Sequence, residues 1–162
     1  MVDDIEQQLK DWFSDRDKVV IAGIGNPIRG DDYAGLKIAE NLQTKVSNNV
    51  CVLECETVPE NYLLDIQNFH PTHILLIDAA LIDAQPGETK LVKATTIAGV
   101  STFSSHGLPL RLFCEYTTKL LPDVKISLLL IEPTNMDFGC ELSPKVQTTV
   151  DMLTEILQRL LT

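Results

Sequence analysis

The sequence predicts a three-layer α/β protein, with helices on both faces of a mostly parallel, five-stranded twisted sheet that has one antiparallel edge strand. Short, continuous apolar runs, typical of strands buried on both faces, alternate with segments whose apolar residues recur at helical spacing. One spacer, residues 81–87, is too short to hold a crossover helix, so the strand after it should run antiparallel to its neighbour. These observations together favour a sheet built from βα units.

The first half of the chain contains three predicted strands and three predicted helices. An amphipathic helix covers residues 3–13, and the apolar run 19–24 is a strand ended by the turn Gly25-Asn26-Pro27. From Asp31 onward the apolar spacing changes to 3.6 residues, which predicts a helix. Residues 50–54 form the second strand, and Pro59, at a first helical position, opens a short helix that ends at residue 68. Residues 73–77 form the third strand.

The second half predicts the reversed strand and two longer helices. The reversed strand covers residues 88–92, and the Pro86-Gly87 turn before it suggests the sheet edge. A helix over 104–120 is stopped by Pro122, and residues 125–131 form the last buried strand. The final helix has Ser143 as its cap and Pro144 in its first turn.

Composition limits the possible functions of the chain. Its 162 residues are 44% hydrophobic, which suits one domain over residues 1–162. A net charge of −10 argues against nucleic acid and against anionic membrane surfaces as partners. We expect a cytoplasmic monomer without membrane insertion, because no apolar run could span a bilayer and no signal peptide is evident. The four scattered cysteines should be reduced, mostly buried thiols, and the spacing of Cys51 and Cys55 is too wide for one metal ion.

Polar and acidic residues follow the predicted strands, at the edge where open α/β sheets bind ligands. Asp31 and Asp32 lie in the turn after the first strand, Asp78 follows the third, His106 precedes a helix, and Glu132 follows the last strand. Two carboxylates and one imidazole that meet at this edge could hold zinc, nickel, cobalt or manganese and leave positions open for substrate. The residues therefore predict a three-ligand site for a divalent metal.

Each of these residues also has a simpler interpretation. Asp31 or Asp32 could be an acidic first-turn residue favoured by the helix dipole, and we expect this role for one of the two. Asn26 could be a turn former, and His106 a helix cap or a core histidine. A nucleotide cofactor is disfavoured, because the glycine pattern after the first strand lacks the third glycine of the dinucleotide fingerprint.

Four segments, in order along the chain, resemble the hydrogenase maturation proteases, and the N-terminal helix over residues 1–15 lies outside the likeness. The resemblance is greatest to the type that processes membrane-bound, formate-hydrogenlyase-like hydrogenases. The segments are Gly23-Ile24-Gly25-Asn26-Pro27 with Gly30-Asp31-Asp32 and Gly35, then Ile77-Asp78-Ala79, then Pro86-Gly87-Glu88, and finally Ser105-His106 with Leu108-Pro109-Leu110.

The resemblance implies an endopeptidase that removes the C-terminal extension from the nickel-loaded precursor of a [NiFe] hydrogenase large subunit. It implies that Asp32, Asp78 and His106 bind the metal, which is nickel brought by the precursor. The metal either activates water and the scissile carbonyl, or only anchors the substrate while Asp31 or Asp32 transfers the proton. Asn26 and Glu132 are expected behind these ligands or along the substrate groove.

Two alternative functions remain open from the sequence. A peptidyl-tRNA hydrolase also has a strand followed by Gly-x-Gly-Asn-Pro, although this acidic chain lacks the basic surface of a tRNA binder and no Arg-His-Asn follows the turn. A non-catalytic protein that binds the precursor through nickel could use the same three ligands.

Tyr33 stands where many relatives carry a small residue, and it would narrow the substrate channel if it faced the crevice.

Overall fold

The computed structural model describes residues 2–99 and 107–162. Its five strands are β1 (Val19–Ile24), β2 (Val50–Glu56), β3 (His73–Ala79), β4 (Thr89–Lys93) and β5 (Lys125–Ile131). Its five α-helices are α1 (Val2–Trp12), α2 (Ala34–Leu42), α3 (Leu63–Phe69), α4 (Gly107–Leu120) and α5 (Pro144–Leu160). Short 3₁₀ turns precede α2 and α3, at Gly30–Tyr33 and Pro59–Tyr62, and a third covers Ala94–Gly99.

The strands form one sheet in the order β2-β1-β3-β5-β4. The pairs β1–β2, β1–β3 and β3–β5 are parallel, and β4 runs antiparallel to β5 at the edge. The predicted fold class, including the reversed edge strand, is confirmed. The carboxyl ends of β1, β2, β3 and β5 therefore share one rim of the sheet, which we call the carboxyl rim.

Each face of the sheet has its own apolar core. Side chains alternate between the faces along each strand, so Leu75 and Ile77 of β3 pack with α1, α2 and α5. Ile74 and Leu76 pack on the opposite face with α3 and α4. This burial on both sides explains why β1, β3 and β5 are continuous apolar runs rather than alternating patterns.

Helix α2 packs unusually close to the sheet, because a glycine faces the strands. A Cβ atom at Gly35 would lie 2.0 Å from the carbonyl oxygen of Ile77 and 2.5 Å from that of Ile24. Any side chain at Gly35 would therefore push α2 away from the carboxyl ends of β1 and β3. The glycine fixes where the turn before α2 stands relative to these strands.

Helix α1 is attached to the opposite end of the sheet around a buried histidine. His73 is 1% exposed, its Nε2 lies 3.1 Å from Oδ1 of Asp15, and its ring meets Trp12 edge-on with centroids 4.9 Å apart. The same Asp15 carboxylate forms an ion pair with Lys125.

The described part of the chain has no helix long and apolar enough to cross a bilayer.

Most predicted boundaries match the structure, and the differences have local causes. The helix predicted from Asp31 begins as a 3₁₀ turn and becomes α-helical at Ala34. Strand β3 continues to Ala79, so Asp78 belongs to the strand instead of following it. The turn Ala94–Gly99 was not predicted. Helix α4 begins at Gly107, and residues 104–106 of the predicted helix lie outside the described residues.

Candidate active site

Asp32 and Asp78 come from neighbouring elements at the carboxyl rim. Asp32 lies in the 3₁₀ turn Gly30–Tyr33, which packs against β3, and Asp78 is the penultimate residue of that strand. Both side chains are fully buried, at 0% exposure. Carboxylate oxygens are ligands that divalent cations accept, so both residues are candidates for a cation site at the carboxyl rim.

The loop after β1 closes on itself to place Asp32. The backbone N–H of Asn26 donates to Oδ2 of Asp32 over 3.2 Å, and the N–H of Asp32 donates to the carbonyl of Arg29 over 3.0 Å. Gly25 makes the closure possible, since a Cβ there would lie 2.1 Å from the carbonyl oxygen of Asp32. These contacts orient the Asp32 carboxylate from its own loop.

Asp78 reaches the rim through the alternation of β3. Ile74, Leu76 and Ala80 belong to the core under α3 and α4, so the same parity places the Asp78 side chain on that face. Helix α4 begins at Gly107 on the same face, where Leu110 and Phe113 join this core. His106, the third predicted ligand, lies outside the described residues.

Asp31, although adjacent to Asp32, fastens two loops together. Its Oδ2 accepts bonds from the N–H groups of Thr134 (2.8 Å) and Asn135 (3.0 Å) and from the hydroxyl of Ser143 (2.9 Å). Its Oδ1 accepts the N–H of Ser143 over 2.7 Å. The side chain is 0% exposed, so its hydrogen-bonding capacity is directed to the segment 134–143. This favours a positioning role over the proton transfer considered for Asp31.

Asn26 and Glu132 also act on the loops around the site. Oδ1 of Asn26 accepts the N–H of Ile28 over 3.1 Å, which is the bond of a turn-forming asparagine. Oε1 of Glu132 accepts the N–H groups of Ile82 (2.9 Å) and Ala84 (3.1 Å), so it holds the loop that follows β3. Both side chains bond to the backbone of loops at the carboxyl rim. Their predicted roles near the substrate stay predictions.

The chemistry of the predicted donor set suits a divalent cation, and the described residues hold part of this set. Carboxylate oxygens suit nickel, zinc and manganese, and Asp32 and Asp78 supply two such groups. Among residues 2–99 and 107–162, no three His, Cys, Asp or Glu side chains form a group that could hold a metal ion. The described residues thus contain two of the three predicted ligands.

The carboxyl rim is strongly acidic. The loops over residues 25–33, 57–62, 80–88 and 132–143 contain one basic residue, Arg29. They contain eight acidic residues, namely Asp31, Asp32, Glu60, Asp83, Glu88, Glu132, Asp137 and Glu141. Asp31, Asp32 and Glu132 are buried and the other five are exposed, and a surface with this excess of acidic groups attracts a cationic ligand and repels nucleic-acid phosphates.

Tyr33 is directed along α2. Its hydroxyl donates to the carboxylate of Glu40, seven residues later, at 2.9 Å from Oε2. Burial and the adjacent Glu40 raise the pKa of Tyr33 above its ordinary value. Because Glu40 lies about two helical turns from the rim, the hydroxyl does not enter the crevice.

Comparison with known proteins identifies a family for this chain. Residues 36–159 match the family model of the hydrogenase maturation proteases. The chain belongs to this family. Hydrogenase maturation proteases are hydrolases of the endopeptidase class, so the predicted family, enzyme class and general function are confirmed.

Individual relatives of this protease cover nearly its whole length. A Methanocaldococcus jannaschii protein assigned to the hydrogenase maturation proteases is 34% identical over 161 residues, 94% of each chain. The hydrogenase 3 maturation protease of Escherichia coli is 29% identical over 142 residues, 87% of each chain. The crystal structure of the [NiFe] hydrogenase maturation protease HycI from Thermococcus kodakarensis superposes with a TM-score of 0.87 at 31% identity, covering 94% of this protease and 97% of that chain.

Sequence reasoning missed the contribution of segment 134–143 to this protease. Ser143 was predicted only as a helix cap, and it does occupy the position before α5, but its hydroxyl makes no cap bond and donates to Asp31 instead. No sequence pattern singles out Phe138, whose side chain is exposed. The available signal was an apolar aromatic residue in a polar loop beyond a strand end, which is weak without knowledge of the loop's neighbours.

Proposed function

We propose that this protease cleaves the C-terminal extension from the nickel-loaded precursor of a [NiFe] hydrogenase large subunit. The observation that carries the proposal is that two fully buried carboxylates, Asp32 and Asp78, lie on neighbouring elements at the carboxyl rim of a chain that belongs to this protease family. An acidic rim around the pair suits a substrate that arrives with a metal cation.

In this proposal Asp32, Asp78 and His106 bind the nickel that the precursor carries. Nickel is then part of the substrate, and its binding brings the adjacent peptide bond to the rim. Asp32 is the better proton acceptor of the acidic pair for an attacking water, because Asp31 is occupied by four bonds to segment 134–143. We further propose that the protease acts in the cytoplasm as a monomer. All four cysteines are free thiols, which agrees with a reducing compartment.

The test is incubation of the protease with the nickel-loaded precursor from the same genome, followed by intact-mass measurement of the large subunit. We expect one mass decrease, corresponding to loss of a C-terminal peptide, and no decrease with the nickel-free precursor. Asp78→Asn should abolish processing while the fold is retained. Equal cleavage of nickel-free and nickel-loaded precursor would remove nickel recognition from the proposal.

A purely binding function is the second candidate, since the same ligands could hold nickel without cleavage. The family assignment favours the enzyme. The two are separated by the same experiment, because a binding protein would form a complex with the loaded precursor and leave its mass unchanged.

A further inference from the structure

Exposed apolar side chains surround the carboxyl rim. Eight large apolar side chains are exposed among the described residues. Four of them lie on α3 and α4, and the remaining four lie at the carboxyl rim. One such side chain follows each of the four parallel strands: Ile28 (61% exposed) after β1, Val58 (36%) after β2, Leu81 (43%) after β3 and Phe138 (69%) after β5. Exposed apolar side chains grouped beside a site, and rimmed by polar residues, are typical of an interaction surface.

Ile28 and Phe138 form a single patch, although 110 positions separate them in the sequence. The N–H of Gly139 donates to the carbonyl of Ile28 over 2.8 Å, which sets the two loops side by side. The guanidinium of Arg29 lies over the Phe138 ring, 5.2 Å from its centroid. We call Ile28, Arg29 and Phe138 the rim patch.

The rim patch has a rigid support. Asp31 joins the two loops through four hydrogen bonds, and the N–H groups of Gly30 and Asp31 donate to the carbonyls of Cys140 (3.1 Å) and Asn135 (2.8 Å). Gly30 has φ +53, and a Cβ there would lie 2.5 Å from the Asn135 carbonyl, so only glycine allows this approach. The exposed side chains are therefore presented in a fixed arrangement, four residues from Asp32 on one side.

We propose that the rim patch docks an apolar stretch of the precursor polypeptide next to the bond that is cleaved. This inference rests on the proposed function and adds to it the chemistry of the substrate segment. The patch is continuous with the turn that carries Asp32, so a chain whose metal binds at Asp32 and Asp78 has this apolar surface beside it. The acidic rim complements the metal cation of the occupant, while Ile28 and Phe138 supply apolar area that stays exposed in the protease alone.

The experiment compares two double variants in binding to the nickel-loaded precursor, measured by biolayer interferometry, and in cleavage, measured by intact mass. The first is Ile28→Ala with Phe138→Ala. The matched control is Tyr116→Ala with Leu120→Ala, which removes another exposed aromatic and aliphatic pair (62% and 45%) from α4. Thermal unfolding of each variant checks that folding is unchanged.

We expect the rim-patch variant to raise the Kd for the precursor at least about tenfold, with the control variant close to wild type. An unchanged Kd in the rim-patch variant, or an equal increase in the control, would overturn the docking proposal. If the wild type binds the precursor but leaves its mass unchanged, cleavage fails while the binding comparison still decides the rim patch. If the wild type does not bind the precursor, both proposals fall.

Discussion

Asp31 and Asp32 are neighbours in sequence with different environments. Both are fully buried, but Asp31 faces segment 134–143 and accepts four hydrogen bonds from it, whereas Asp32 is held by the Asn26 backbone at the rim. The sequence predicts that one acid of the pair is structural. The family resemblance assigns Asp32 to the metal, but the residue pattern alone does not tell which acid is structural, because the deciding contacts of Asp31 come from residues more than 100 positions away.

The different environments predict different effects of the same substitution. Asp31→Asn should lower the free energy of unfolding by about 2–3 kcal/mol, because the amide nitrogen cannot accept the buried N–H and O–H donors. Asp32→Asn should lower kcat at least about 100-fold, the range of a lost acid–base group. Urea denaturation and cleavage kinetics of both variants test this pair. A larger stability loss for Asp32→Asn than for Asp31→Asn would reverse the assigned roles.

At the scale of secondary structure, the strands were predictable and the turns beside the site were not. Strands β1, β3 and β5 are buried on both faces, so each appears in the sequence as an apolar run. The turn Gly30–Tyr33 is 3₁₀ instead of α-helical, and its N–H groups at Gly30 and Asp31 bond to segment 134–143. Helical spacing contains no information about such a distant partner.

Helix α2 gives a prediction at this scale. Gly35→Ala should destabilise the protein by about 1–3 kcal/mol, because the new Cβ overlaps the carbonyls of Ile77 and Ile24 and must push α2 outward. The displaced turn carries Asp32, so kcat should fall about tenfold or more.

Gly35→Ser should have the same effects to a greater degree, since its side chain is larger. Denaturant unfolding and cleavage kinetics measure both variants. Stability and kcat within experimental error of wild type in both would show that the close approach of α2 does not position Asp32.

At the scale of the whole molecule, the sheet class and its reversed edge were predictable, but the order of the strands required the structure. The alternation of apolar runs with helical segments fixes the layers, while strand order depends on which chain segments cross over each other. The rim patch likewise could not be predicted from the sequence. Ile28 and Phe138 become neighbours only after β1 and β5 are placed on either side of β3.

Stability of the whole fold should depend on pH through His73. Burial lowers the pKa of His73 from its ordinary 6.5 and outweighs the opposing attraction of Asp15, while nearby Lys125 lowers the pKa further. Because the folded state binds this proton less readily than the unfolded state, the His73 contribution is complete above about pH 6.5 and is lost as pH falls through the folded pKa. The lowered pKa of Asp15 matters only at more acidic pH, below its ordinary 3.8.

Thermal unfolding of the wild type at pH 7.5 and 5.5 measures this dependence. The decrease in Tm towards pH 5.5 should be smaller in His73→Gln, which keeps polar atoms but does not titrate. His70→Gln is the matched control, since His70 is exposed, and it should leave the decrease unchanged. An equal decrease in wild type and His73→Gln would show that other groups cause the dependence.

The bonds made by Asp31 also bear on how relatives of this enzyme could diverge. The side-chain anchors of segment 134–143 stand at its two ends, Thr134 and Asn135 at one and Ser143 at the other. Between them, the N–H of Gly30 donates to the carbonyl of Cys140 and the N–H of Gly139 donates to the carbonyl of Ile28, so these two contacts use backbone atoms. The exposed side chains at positions 137, 138, 140 and 141 can thus be replaced, by evolution or by a protein engineer, to suit a new client while the catalytic scaffold stays as it is. Gly139, with φ +81, and Leu142, which packs against the core, are constrained.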